Sequence, residues 1–96
     1  MEYRRFDRDY YIRLDKGDEI LTSVAEVCAR EGIKAASLTG IGGCGSAVVG
    51  VFDCAKKDYD RECVKGLLEL ISLCGNVTRY EGKPYVHAHA SFACHG

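Results

Sequence analysis

Leu67-Leu68-Glu69-Leu70-Ile71-Ser72-Leu73, Asn76-Val77-Thr78-Arg79-Tyr80 and Tyr85-Val86-His87-Ala88-His89-Ala90-Ser91-Phe92-Ala93-Cys94 follow one another, with only Cys74-Gly75 and residues 81–84 between them. Each run is rich in the aliphatic, β-branched and aromatic residues that suit a pleated surface, and each has the length of a strand. Connections this short cannot hold the crossover that a parallel pair needs, so the strands are expected to run antiparallel.

Outward from this segment, residues 58–64, 47–52, 33–39 and 10–14 read as further strands by the same enrichment. Between Leu14 and Ile33 the period changes. Ile20, Leu21, Val24, Val27 and Cys28 recur at i, i+3, i+4 spacing, the stripe of a helix with one buried face, which predicts a helix over about residues 16–31. Asp15 is placed to cap it, Asp18 and Glu19 suit the positive end of its dipole, and Gly32 can end it in the left-handed conformation. One helix among several closely spaced strands gives an α+β class with a largely antiparallel sheet. No linker, repeat or low-complexity segment divides the chain, so residues 1–96 are expected to be a single domain.

The composition bounds the function. A 96-residue chain buries only about 60 to 65% of the surface of its unfolded form, which makes a lone monomer marginal. With 47% hydrophobic and 28% charged residues and a single proline, the chain is of globular type. Lys+Arg 13 against Asp+Glu 14 leaves a net charge of −1, which removes the general drive toward phosphate backbones. Arg4, Arg5 and Arg8 are the one local basic cluster, diluted by Asp7 and Asp9. The start of the chain has no apolar signal core, and no stretch of about 18 apolar residues exists to span a membrane, so a cytoplasmic protein without membrane contact is expected. The six cysteines, with no Cys-x-x-Cys pair, read as reduced thiols, and Cys28 falls on the buried stripe of the helix.

Gly40-Ile41-Gly42-Gly43-Cys44-Gly45 matches the letters of a dinucleotide-binding loop. That loop must open a helix toward the pyrophosphate, whereas Ala47 to Phe52 is a β-rich run, so the glycines are expected to make a tight strand-to-strand connection. Glu69 stands out because alternation groups it with Leu67, Ile71 and Leu73. A carboxylate on an apolar face needs a partner unless it is exposed: a backbone group, an arginine, or a nearby metal site.

His87 and His89 carry the sharpest chemical signal. On a strand they project from one side with Cα atoms about 6 to 7 Å apart, so both imidazoles can converge on zinc or another divalent metal. Two ligands do not complete a tetrahedral site, and the equally open reading is a pair of structural or solvated histidines. His95, six residues on, is the remaining histidine.

Taken together, Arg13-Leu14-Asp15-Lys16-Gly17-Asp18-Glu19, Gly40-Ile41-Gly42, Gly66 to Asn76 and Pro84-Tyr85-Val86-His87-Ala88-His89 resemble, in this order, the plants-and-prokaryotes-conserved (PPC) domain, which in plants accompanies AT-hook motifs. The resemblance covers about residues 8 to 95. It implies an antiparallel α+β domain that forms homotrimers, acts without catalysis and associates with itself, with protein partners and, weakly or through them, with DNA. This chain has no Arg-Gly-Arg-Pro core of an AT-hook. Leu67 and Leu68 stand where the plant domain has Arg and Phe. The resemblance also implies further strands and a Gly-Gly-His segment beyond the His-x-His strand, so the chain is expected to lack the C-terminal strands of the family.

Overall fold

The computed structural model describes residues 1–94. In chain order it contains β1 (Glu2–Phe6), β2 (Asp9–Arg13), α1 (Ile20–Glu31), β3 (Ala36–Asp53), β4 (Asp58–Tyr80) and β5 (Lys83–Cys94). β1 and β2 form a two-stranded antiparallel sheet in the register Glu2↔Arg13 to Phe6↔Asp9. The other three strands form a sheet in the order β3-β4-β5, so β4 is hydrogen-bonded on both sides. The α+β class with a mostly antiparallel sheet is the one expected from the residue pattern.

The element boundaries need correction. β3 runs unbroken through Gly40 to Gly45, where a connection between two strands was expected, and β4 is one strand where three were expected. Glycine is a turn signal only while its backbone lacks a partner. Here the pairing with β4 holds the glycines extended, and the small residues admit side chains from across the sheet: a Cβ at Gly40 would lie 3.5 Å from Leu73 Cδ2. β1 was not expected at all, because Glu2-Tyr3-Arg4-Arg5-Phe6 is mostly charged. It forms because its alternation half-buries Tyr3 while Glu2, Arg4 and Phe6 face solvent.

The helix begins later than its acidic prelude predicts. Glu19, not Asp15, caps it, accepting the Thr22 N–H at 2.5 Å. Burial alone would raise the Glu19 pKa, but hydrogen bonds from Thr22 and Leu21 outweigh it and hold the carboxyl below its ordinary value. Gly17, at φ 95°, cannot belong to a first helical turn, so residues 15–18 close a turn of their own: Asp18 N–H donates to the Asp15 carbonyl and Asp15 N–H to the Asp18 carboxylate. At the other end Gly32 adopts φ 66° and ψ 27°, and its N–H and that of Ile33 both donate to the Cys28 carbonyl. The hairpin between β4 and β5 turns on Glu81 (φ 52°) and Gly82 (φ 75°), the two positive angles of a turn whose twist matches the strands.

The chain divides into two compact units, Met1–Leu38 with Gly75–Ala88, and Thr39–Cys74 with the chain from His89. In the first, Val27 and Cys28 of α1 and Val77 of β4 are buried, with Ser23 beside them in the helix stripe. The Tyr3 and Tyr10 hydroxyls both donate to the Glu31 carboxylate, and the Arg79 guanidinium donates to the carbonyls of Gly82 and Ile33. Burial pushes the Cys28 thiol pKa up, partly opposed by the charge of Arg79. In the second unit Leu68, Leu70 and Leu73 are buried. Each such side chain contributes about 1.5 to 3 kcal/mol by leaving water. The burial expected of a free thiol holds for Cys28, whereas Cys54, Cys63, Cys74 and Cys94 are exposed.

Gly75 marks the tightest approach in the first unit. A Cβ there would overlap the His87 carbonyl and lie 2.7 Å from Ala88 Cα, both backbone atoms with little freedom to yield. Gly75→Ala is expected to cost about 1 to 3 kcal/mol by overpacking, more than Gly32→Ala, where open space surrounds the Cβ and the cost is the left-handed backbone alone, about 1 kcal/mol. Urea unfolding of the two variants checks the order.

Candidate functional site

β5 carries the histidine pair. His87 and His89 are exposed on this strand, two residues apart, so the pleat turns both to one side; the intervening Ala88 is half-buried. Neither imidazole is free of partners. Among the described residues no group of three or more His, Cys, Asp or Glu side chains is arranged to hold a metal ion. His95 lies outside the described residues. The residues described therefore supply at most two imidazole ligands, half of a tetrahedral shell, and the donor set does not by itself fit a metal.

Glu69 does not join the histidines in such a group. The expectation that Leu67, Glu69, Ile71 and Leu73 share one face is corrected as well. Leu68 and Leu70 are each 3% exposed, while Leu67 is 84% and Ile71 55% exposed with the exposed Glu69 between them. Leu73 is buried, so the inward parity shifts by one residue between Leu70 and Leu73. Glu69 is thus a solvent-facing carboxylate and has no desolvation cost to offset. Its position was legible as the mark of an outer face: in a five-residue run of alternating parity, the side with the charge is the wetter one.

What the sequence reading missed is the number of large apolar side chains left in solvent. In the second unit Ile41 is 82% exposed, and Val48, Val51, Phe52, Leu67 and Ile71 are also exposed. Ile41 and Ile71 line one shallow cavity of about 400 Å³ with Thr39 and Leu73. In the first unit the outer face of the β1–β2 hairpin carries Phe6 and Tyr11, ring centroids 5.4 Å apart, with Arg13 and Arg4 both directed to Glu2 at 3.1 and 3.8 Å. These charges are mutually compensated, and the face gives no basic stripe for a phosphate backbone.

The family model of the Plants and Prokaryotes Conserved (PCC) domain matches residues 1–96. The chain belongs to this family. Among solved structures, a plant- and prokaryote-conserved protein of Pyrococcus horikoshii is 43% identical, with a TM-score of 0.79 over 84% of this chain and 57% of that one. A candidate DNA-binding protein of Ralstonia eutropha JMP134 is 29% identical, with a TM-score of 0.91 over 96% of this chain and 63% of that one. A metal-containing protein of Archaeoglobus fulgidus is 36% identical, with a TM-score of 0.83 over 88% of this chain and 61% of that one. No curated protein matches the chain. This PCC-domain chain spans about three fifths of the length of these structures. No helix among its described residues is long and apolar enough to cross a membrane.

The two faces of β4 predict opposite responses to substitution. Glu69→Gln is expected to leave unfolding free energy within about 0.5 kcal/mol of the parent, as for a surface site. Leu70→Ala is expected to cost about 2 to 5 kcal/mol through lost burial and a cavity. Denaturant titration of both, at one protein concentration, tests the assignment.

Proposed function

We propose that residues 1–96 act as one non-enzymatic assembly module, a homotrimer whose association with DNA is weak or passes through protein partners. The observation that carries this reading is the outer face of the second unit, where Ile41, Leu67 and Ile71 stand in solvent while Leu68 and Leu70 are buried. Large apolar side chains left in solvent beside one another, as Ile41 and Ile71 are at one cavity, mark a surface meant for another molecule. Burial of those chains contributes about 25 cal/mol per Å², which a small domain needs for its stability. The number three comes from the family the chain belongs to. Supporting the weak DNA role are the near balance of 13 basic and 14 acidic residues and the candidate DNA-binding relative.

Light scattering at micromolar concentration is expected to give three times the chain mass, and a stable monomer would refute the assembly. Leu67→Asp and Ile71→Asp should each weaken association while circular dichroism stays unchanged, since a carboxylate costs nothing on a face that remains wet. Duplex DNA should bind no tighter than about 10⁻⁴ to 10⁻⁶ M at physiological salt. Nanomolar, sequence-dependent retention by the isolated chain would overturn the indirect role.

A second reading is favoured by the His87-x-His89 strand together with the metal-containing Archaeoglobus relative. In it the two imidazoles lend ligands to a divalent metal or a small anionic ligand, completed by groups outside the described residues. Metal bound this way competes with protons and is released on acidification. Elemental analysis of tag-free protein, before and after the double change His87→Ala and His89→Ala, decides it. Loss of a stoichiometric ion with the fold intact supports the reading, and an ion-free parent sinks it.

A further inference from the structure

Glu31 ends α1 against the field of its own helix. It is the last helical residue and is exposed, at the end where unpaired carbonyls carry the negative charge of the dipole and a carboxylate is unfavourable. The basic residue of that turn, Arg30, pairs with Glu26 instead. Among the described residues no cation forms an ion pair with Glu31. A residue that breaks a local rule is expected to be compensated elsewhere in the fold.

The compensation comes from the β1–β2 hairpin. Its register, Tyr3↔Ile12 and Arg5↔Tyr10, sets Tyr3, Tyr10 and Ile12 on one face, and these three are half-buried while Arg4 and Tyr11 on the other face are exposed. The two inner rings lie 6.4 Å apart and share one acceptor group: the Tyr3 hydroxyl donates to Glu31 Oε2 at 3.5 Å and the Tyr10 hydroxyl to Oε1 at 3.4 Å. Each is long for an O–H···O bond, so neither holds the hairpin strongly by itself. Arg5 does not compete for the carboxylate, because its guanidinium lies over the Tyr10 ring and its Nε donates to the Asp7 carbonyl. Among the described residues no other hydrogen bond or ion pair joins the hairpin to α1.

We propose that Glu31 is the latch of a strap: its carboxylate fastens the β1–β2 hairpin over the end of α1 through the two tyrosine hydroxyls, and the hairpin opens as a unit when either side of that contact is lost. The covalent connection through residues 14–19 stays in place, so the hairpin swings away from the helix without leaving the domain.

Two effects of opposite sign then follow from one side chain. Without the carboxylate, the last turn of α1 is relieved of repulsion from its own carbonyls and holds more firmly. The hairpin loses its tie and, as a two-stranded ribbon, is marginal once nothing holds it against a helix. A surface acid with no such role would change the helix end alone. Both contacts are exposed, so the latch is of a strength that opens locally within the folded state.

The test is amide hydrogen exchange on the full chain, with β4–β5 amides as the internal reference. Four forms are compared: the parent, Glu31→Ala, Tyr3→Phe plus Tyr10→Phe, and all three changes together. Glu31→Ala is expected to speed exchange of the β1–β2 amides about two- to fivefold, the range of one net hydrogen bond, and to slow it at residues 29–31. The double Phe variant should speed the hairpin to the same extent and leave residues 29–31 unchanged. Glu31→Gln, which keeps one acceptor oxygen, should fall between the parent and Glu31→Ala. In the Phe background Glu31→Ala should add nothing at the hairpin. Unchanged hairpin exchange in Glu31→Ala would overturn the latch, and so would an undiminished effect of Glu31→Ala once both hydroxyls are gone.

Discussion

Backbone pairing of β4 on both of its sides is the constraint on which the rest of the sheet depends. A strand of 23 residues presents a donor and an acceptor at every position, and few of them can go unmet away from water. With β3 on one side and β5 on the other, these groups are taken up along the strand, and the partners must follow its course. β3 therefore stays extended through Gly40 to Gly45, although glycine loses the most freedom on ordering. The single proline obeys the same demand. Pro84 is the second residue of β5, an edge strand by the sheet order, where a missing donor is tolerated.

The connections complete this logic with local chemistry. Positive φ falls on Asp7, Lys57, Glu81 and Gly82, at the hairpins that join successive strands. Asp53 Oδ1 accepts the N–H groups of Ala55 and Lys56, closing the β3–β4 hairpin without a glycine. The aromatic pairs Phe6–Tyr11, Phe52–Tyr59 and Tyr80–Tyr85 each span one hairpin. Cross-strand pairs of this kind add a few tenths to one kcal/mol each and fix register where a glycine-rich strand leaves it loose.

Much of the fold was legible because burial writes a period into the sequence. The stripe Val24, Val27, Cys28 gave α1, since an apolar side chain repeats wherever one face is dry, and the aliphatic enrichment of residues 67–73 gave a strand. What was not legible depended on partners distant in the chain. Nothing local says that Glu2 to Phe6 will pair with Asp9 to Arg13, because its charged residues signal solvent and only Tyr3 points inward. For residues 67–71 the one local mark of the wet parity is Glu69, since both sets are otherwise apolar. The histidine pair illustrates the same limit for a site. Spacing puts His87 and His89 on one side of a strand, but a third ligand is a matter of what folds beside them.

Among the described residues the acids and thiols are spread along strands and turns, and some of the acids are engaged in charge pairs with near neighbours, as in Lys56–Asp60 and Arg61–Asp58. Exposed pairs of that kind contribute at most about 1 kcal/mol and specify no ligand. Several large apolar side chains stand exposed on β3 and β4, where Ile41 and Ile71 border one cavity and Leu67 stands two positions beyond Glu69. A lone carboxylate there is tolerable at the wet rim of a contact and costly at its dry centre, so Glu69 restricts which surfaces can close over Leu67 and Ile71 to those that leave it hydrated or offer it a cation.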